Sequence, residues 1–329
     1  MTTAEDILSR HLVWDTHSGM FPAAGADLAG LAAYRRAGVG HVALCVGFDA
    51  LPWSAAIETL SDYRRALRDD PDIALVSTVA EVEAARAAGR MAVSFDIEGA
   101  EALNGDPGMV AVYRALGVNQ MLLAYNLNTL AAGGCHDFDD GLTPFGRQVV
   151  AEMNRAGMIV DATHMGYRSA AEVLEISASP VIFSHSNPRA VWDHERNIPD
   201  DLIRACADQG GVVGINGIGI FLGPNVDDAE SFVRHITHVA DLVGPDHVAL
   251  GFDWVPPSRN LPDLSEIVAQ RPDFWPRGKG YDAKPIRMVA PSALPQIVGL
   301  LIARGWDEPA LAALLGGNMM RVARASWGG

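Results

Sequence analysis

Eight short apolar runs punctuate the chain, each followed by a longer amphipathic stretch. They are residues 11–17 (HLVWDTH), 39–47 (VGHVALCVG), 91–99 (MAVSFDIEG), 118–125 (VNQMLLAY), 158–164 (MIVDATH), 180–185 (PVIFSH), 211–218 (GVVGINGI) and 247–254 (HVALGFDW). A strand that returns through a helix must run parallel to its predecessor, so this alternation predicts a parallel sheet with helices packed on it. Several runs are apolar almost throughout, as strands covered on both faces are. Between them, residues 141–156 (GLTPFGRQVVAEMNRA) predict a helix with Thr143 as cap, Pro144 at its first position and Gly157 at its exit. Eight strand–helix units close into a single (β/α)8 TIM barrel spanning residues 1–329, and no Ser/Pro/Gly linker divides it. Only the Pro-rich, charged stretch 255–291 breaks the rhythm, and a long rim loop after the last strand is expected there.

Composition narrows the function by exclusion. A chain of 329 residues, 49% hydrophobic and 20% charged, can bury a large core. Its formal charge of −15 and lack of basic blocks argue against a nucleic-acid partner. Cys45, Cys135 and Cys206 are too scattered for a disulfide framework, which fits a reducing compartment. The opening MTTAEDILSRHLVWDTH lacks a signal-like apolar run, and no stretch is long and apolar enough to span a membrane. A cytoplasmic protein is expected.

The chemistry sits at the ends of the runs. His17, Glu98, Tyr125, His164, His185 and Asp253 close the first, third, fourth, fifth, sixth and eighth of them. In a (β/α)8 barrel these C-terminal ends converge on one face, where active sites of this fold lie. Imidazoles and carboxylates gathered there suit zinc. Taken singly each has a plainer explanation: a strand-end His as a structural group, Glu98 as the ion-pair partner of a loop arginine. The glycine-rich 210–223 (GGVVGINGIGIFLG) has no P-loop lysine, so close barrel packing explains it better than nucleotide binding. His136 and His194 are placed on the rim, and Trp14, Trp192 and Trp254 are equally compatible with core and with substrate wall.

These residues sit in motifs similar to those of the membrane (renal) dipeptidases, peptidase family M19, in a bacterial branch of that family. The resemblance rests on SFDIEGAEAL, GLTPFGRQVVAEMNRAGMIVDATHMG, VIFSHSNPRAV, HERNIPDD, GGVVGING, PDHVALGFDW and GGNMMRVA. It implies a zinc-dependent barrel of the metallo-dependent hydrolase type, one or two ions, a homodimer, and a dipeptide-like substrate. By the same resemblance Glu98 bridges two metals, His164 and His185 hold the second, Arg196 binds the substrate carboxylate, and Asp253 stands beside the water that attacks the amide.

In two places the chain departs from the family pattern. The first motif of the family reads His-x-Asp, with both residues on the first metal, whereas this chain reads His17-Ser18-Gly19 within DTHSG, with Gly19 in the place of the acid. The first site is therefore expected to be weak, altered or empty, unless Cys135, His136, water or Asp15 compensates; for Asp15 an orienting role behind His17 is the readier expectation. An acid restored at position 19 is expected to raise metal content. Tyr125 replaces a carbonyl-polarising histidine and retains a donor. The leading expectation is amide hydrolysis of dipeptides or similar small amides with a free C-terminal carboxylate. The alternatives are a barrel with a mononuclear site acting on a modified dipeptide, lactam or cyclic amide, and a catalytically silent ligand-binding barrel.

Overall fold

The computed structural model describes residues 3–257 and 264–327. Its strands are β1 Trp14–Ser18, β2 His41–Phe48, β3 Ile73–Leu75, β4 Met91–Glu98, β5 Val118–Leu122, β6 Ile159–Asp161, β7 Ile182–Phe183, β8 Val212–Asn216 and β9 Val248–Gly251. All pair in parallel, β1 with β2 and β9, β2 with β4, and onward in sequence order to β9. Eight of them therefore close into a barrel, each corresponding to one of the eight apolar runs. The ninth, β3, was not legible in the pattern. It pairs with the first half of β4 (Ile73↔Met91 to Leu75↔Val93). The second half of β4 pairs with β5 (Phe95↔Val118 to Glu98↔Leu122), so β3 fills the gap left where β5 starts late.

The helix over Pro144–Ala156 begins and ends as its sequence dictates. Thr143 accepts a hydrogen bond from the Gly146 N–H, Pro144 opens the first turn, and Gly157 exits at φ 72°. The glycines of 210–223 serve close approach. A Cβ on Gly214 would lie 2.0 Å from the Ser184 carbonyl, and one on Gly217 2.7 Å from that of Phe252. Trp14 is core, stacked 3.6 Å from His41 at the N-terminal end of the barrel.

The stretch after β9 is more than a loop. Residues 258–263 lie outside the described residues, but beyond them a helix covers Leu264–Gln270. Val268, Phe274, Trp275, Tyr281 and Ile286 then pack with Phe48, Ile220 and Phe221 as an apolar cluster over the barrel mouth. This cluster forms one wall of the cleft above the strand ends.

Candidate metal and substrate site

The strand ends deliver the expected side chains to one place. Glu98, the last residue of β4, points one oxygen, Oε1, at three imidazoles: His164 Nε2 at 3.3 Å, His185 Nε2 at 3.4 Å and His17 Nε2 at 3.6 Å. His17 Nε2 also lies 3.6 Å from Asp253 Oδ1. Two of the positions are conformationally unusual: His164 has φ 66° and Asp253 φ 50°, left-handed values that non-glycine residues seldom adopt. Such backbone is costly by roughly 1–3 kcal/mol per residue and is found where a site requires it. Here it turns each side chain into the barrel mouth just after β6 and β9.

The imidazoles are oriented from behind. His17 Nδ1 donates to Asp96 Oδ2 at 2.5 Å, and His164 Nδ1 to Asn126 Oδ1 at 2.6 Å. His185 Nδ1 is 2.7 Å from Ser184 Oγ. A ring whose Nδ1 carries the proton presents a lone pair on Nε2. His164 thus aims an unprotonated nitrogen at Glu98, as His17 would once a cation took the place of its Nε2 proton, and His164 Nε2 and His185 Nε2 face each other at 2.9 Å. These nitrogens gather beside one carboxyl group, and this donor set of imidazole and carboxylate fits a zinc-type ion. Ligand atoms of His17, Glu98 and His185 lie within 4.8 Å of one another, close enough to share an ion.

The electrostatics of the bare site divide these groups. Burial lifts Glu98 to about 8, with His17 pulling the other way, so the bare carboxyl would be largely protonated near neutrality. His164 and His185 are held well below the usual imidazole value by burial and by neighbouring cationic groups, which keeps them in the neutral, ligating form. Burial also acts to lower His17, but Glu98, Asp96 and Asp253 outweigh it and leave His17 well above its ordinary value. Asp253 is raised by burial. Its Oδ2 accepts a 3.0 Å hydrogen bond from Asn216 Nδ2, leaving Oδ1 toward the site.

Arg196 is buried, with Nη2 3.2 Å from His164 Nε2 and 3.3 Å from the His185 carbonyl, and its Nε has no hydrogen-bond partner. A surface ion pair with Asp200 or Asp201 is therefore excluded; Asp200 pairs with His238 instead, at 2.9 Å. Tyr125 stacks on His164 at 4.0 Å between ring centroids, and its oxygen accepts from Trp275 Nε1 at 3.2 Å. The Tyr125 hydroxyl has no acceptor among the described residues, and Tyr125 lines the cleft.

Several expectations need correction. Asp15 does not grip the His17 ring; its Oδ1 accepts the Phe252 backbone N–H at 2.9 Å and that of His17 at 3.5 Å. The orienting carboxylate is Asp96, two residues before Glu98 on the same face of β4, a spacing visible in SFDIEG. Cys135 donates to Asn126 Oδ1 at 3.3 Å and His136 Nε2 meets Tyr281 Oη at 2.8 Å, so both are engaged elsewhere. His194 supports the backbone of Arg196, whose N–H donates to His194 Nδ1 at 3.0 Å. An acid cannot simply be restored at position 19, where a Cβ would lie 2.5 Å from the Asp253 carbonyl oxygen and 2.9 Å from Val255 Cγ2. Sequence reasoning also passed over Asn126, Asn216 and Cys45, which bear on the site through His164, Asp253 and Glu98 respectively.

A parallel (β/α)8 barrel with imidazoles and carboxylates gathered at its strand ends is the architecture of the metallo-dependent hydrolases. Within that class the chain belongs to the membrane dipeptidases: the family described as "Membrane dipeptidase (Peptidase family M19)" matches residues 48–272. That span includes Glu98, Tyr125, His164, His185, Arg196 and Asp253, but not His17. An uncharacterised dipeptidase of Schizosaccharomyces pombe is 32% identical over 232 residues, covering 69% of this chain and 51% of the relative. Dipeptidase 3 of Mus musculus is 27% identical over 277 residues, covering 82% and 51%. The chain thus spans about half the length of these curated relatives. A crystal structure of an amidohydrolase from Pseudomonas aeruginosa superposes with TM-score 0.89 at 25% identity, covering 99% of this chain and all of the other.

Proposed function

We propose that this protein is a zinc-dependent hydrolase that cleaves the amide bond of dipeptides, or of similar small amides ending in a free carboxylate. The observation that carries this reading is the convergence of the His17, His164 and His185 Nε2 atoms on Glu98 Oε1, with Arg196 beside them. Glu98, His164 and His185 would hold one ion, and His17 with Glu98 would offer donors to another. When bound, the metal supplies Lewis acidity, lowering the pKa of water toward about 7 and polarising the amide carbonyl.

The chain's own residues supply the rest. Asp253, held at Oδ2 by Asn216, would take a proton from the attacking water at Oδ1 and pass it to the leaving amine. The unpartnered Nε of Arg196 and its neighbouring Nη atoms form a fork for the substrate carboxylate. Burial holds the Tyr125 phenol well above its usual pKa, so it remains a hydrogen-bond donor to the substrate carbonyl region. Phe21, Phe48, Ile220, Phe221 and Trp275 give the cleft an apolar lining beside these groups.

Gly19 favours a second reading, in which a single ion is retained and a different amide is turned over. Elemental analysis of protein purified without chelator, followed by a panel of dipeptides and their C-terminal amides, separates the readings. About two equivalents of zinc with turnover of dipeptides but not of their amides supports the first. One equivalent, with turnover confined to other amides, supports the second. No bound metal and no turnover refutes both. One barrel domain over residues 1–329, a homodimer by family likeness and a cytoplasmic site of action, consistent with three free cysteines, complete the proposal. Light scattering checks the homodimer.

A further inference from the structure

A small amide held by its carboxylate has to lie across the barrel mouth, and the order of the strands sets its direction. Arg196 stands on the connection after β7, whereas Phe48 is the last residue of β2. In the closed ring β1-β2-β4-β5-β6-β7-β8-β9 those two strands are four places apart among eight, on opposite sides of the mouth. Tyr125, which follows β5, stands halfway between them. A carboxylate in the Arg196 fork therefore directs the other end of the substrate past Tyr125 and toward β2. Arg196 itself has Phe221 as its neighbour, with Cζ 5.2 Å from the ring centroid, so Phe221 borders the carboxylate end.

The far side is built of carbon. Phe48 pairs in register with Glu98, and both side chains reach the same cleft. Phe48 meets Phe21 edge-on at 5.5 Å between ring centroids and Tyr125 at 5.3 Å, and it lies 6.3 Å from Trp275. Ile267 and Val268 pack into the same apolar cluster and also line the cleft. The wall is anchored to the site: Trp275 Nε1 donates to Tyr125 Oη at 3.2 Å, and the adjoining Phe274 carbonyl accepts from Asn126 Nδ2 at 2.9 Å. Tyr125 is the donor assigned above to the substrate carbonyl. The side chain of the acyl residue branches from the carbon next to that carbonyl, which brings it onto Phe48 and Trp275.

We propose that the acyl residue of the substrate is selected for a large apolar side chain, leucine to phenylalanine in size, which packs on Phe21, Phe48 and Trp275. The preferred substrates are then dipeptides whose first residue is apolar. Burying such a side chain strengthens binding, whereas a charged one would lose its hydration against carbon. The inference rests on the hydrolase reading above, and a series of X-Gly dipeptides tests the two apart, because the carboxylate end stays constant. Zinc-loaded wild-type protein should cleave Leu-Gly and Phe-Gly with kcat/KM roughly 10–100-fold above Ala-Gly, and Asp-Gly and Lys-Gly below it. Phe48→Ala and Trp275→Leu should each bring Phe-Gly closer to Ala-Gly, while Gly-Phe, with its ring on the other residue, should keep its ratio to Gly-Gly. Phe21 is half-buried, and Phe21→Asp, which leaves the strand end untouched, should raise Lys-Gly relative to Leu-Gly by about 5-fold. Equal kcat/KM across the X-Gly series, or an apolar preference that survives all three substitutions, overturns the subsite and leaves the hydrolase standing. No cleavage of any dipeptide in the series overturns both.

Discussion

At the scale of single residues, the site is controlled as much by what stands behind the imidazoles as by the imidazoles themselves. Asp96 fixes the His17 tautomer at 2.5 Å, so Asp96→Ala should weaken metal binding at the first position by roughly 10–100-fold, read by competition with a chromophoric chelator. The second position, whose His164 is set by Asn126, should be little changed. Gly19→Asp should fail to add metal. Its Cβ would press on the Asp253 carbonyl, costing roughly 1–3 kcal/mol by overpacking and displacing the proposed proton acceptor. Thermal unfolding and elemental analysis check this together; a rise in metal content at unchanged stability would contradict it. These residues also mark the limit of sequence legibility. His17, Glu98, His164, His185, Arg196 and Asp253 were visible as strand-end or motif residues. Asp96 was passed over although its spacing from Glu98 stands in SFDIEG, because only folding brings it to His17.

At the scale of elements, an apolar run followed by an amphipathic stretch could be read even where the strand is as short as β7, and so could a helix with an explicit cap and exit. β3, three residues long, could not, because its pairing to half of β4 is decided by the late start of β5. The stretch after β9 was read as rim loop from its prolines and charges. Its apolar residues, too sparse for a period, find each other only when folded over Phe48 and Phe221. The connection from β7 to the helix Asp200–Asp208 carries Arg196 inward, braced by His194. Arg196→Lys keeps the charge but loses the planar fork. It should raise KM for dipeptides by roughly 10-fold or more, an effect of about 1.4 kcal/mol, with a smaller change in kcat. An equal effect on a substrate that lacks the terminal carboxylate would show that Arg196 acts on the metal ligands rather than on the substrate.

At the scale of the whole molecule, the two ends of the barrel divide labour: chemistry at the strand C-termini, stability at the N-termini. The N-terminal end holds His41, fully buried against Trp14, with no hydrogen-bond partner for either ring nitrogen. Burial lowers its pKa from 6.5 to about 3. Between those values the unfolded chain takes up a proton that the folded barrel refuses, so stability falls as pH falls, by at most about 1.4 kcal/mol per unit. Buried carboxyls tilt the other way. Asp49, raised to about 8 by burial, contributes stability at low pH that is lost as pH rises through that value. Comparison with His41→Phe, which preserves the stack on Trp14, isolates the histidine from them. Urea unfolding should show the wild type losing roughly 2–3 kcal/mol more than the variant between pH 6 and pH 4. Parallel pH profiles would mean that His41 is solvated or protonated in the fold, and that the N-terminal end of the barrel is less tightly closed than its burial indicates.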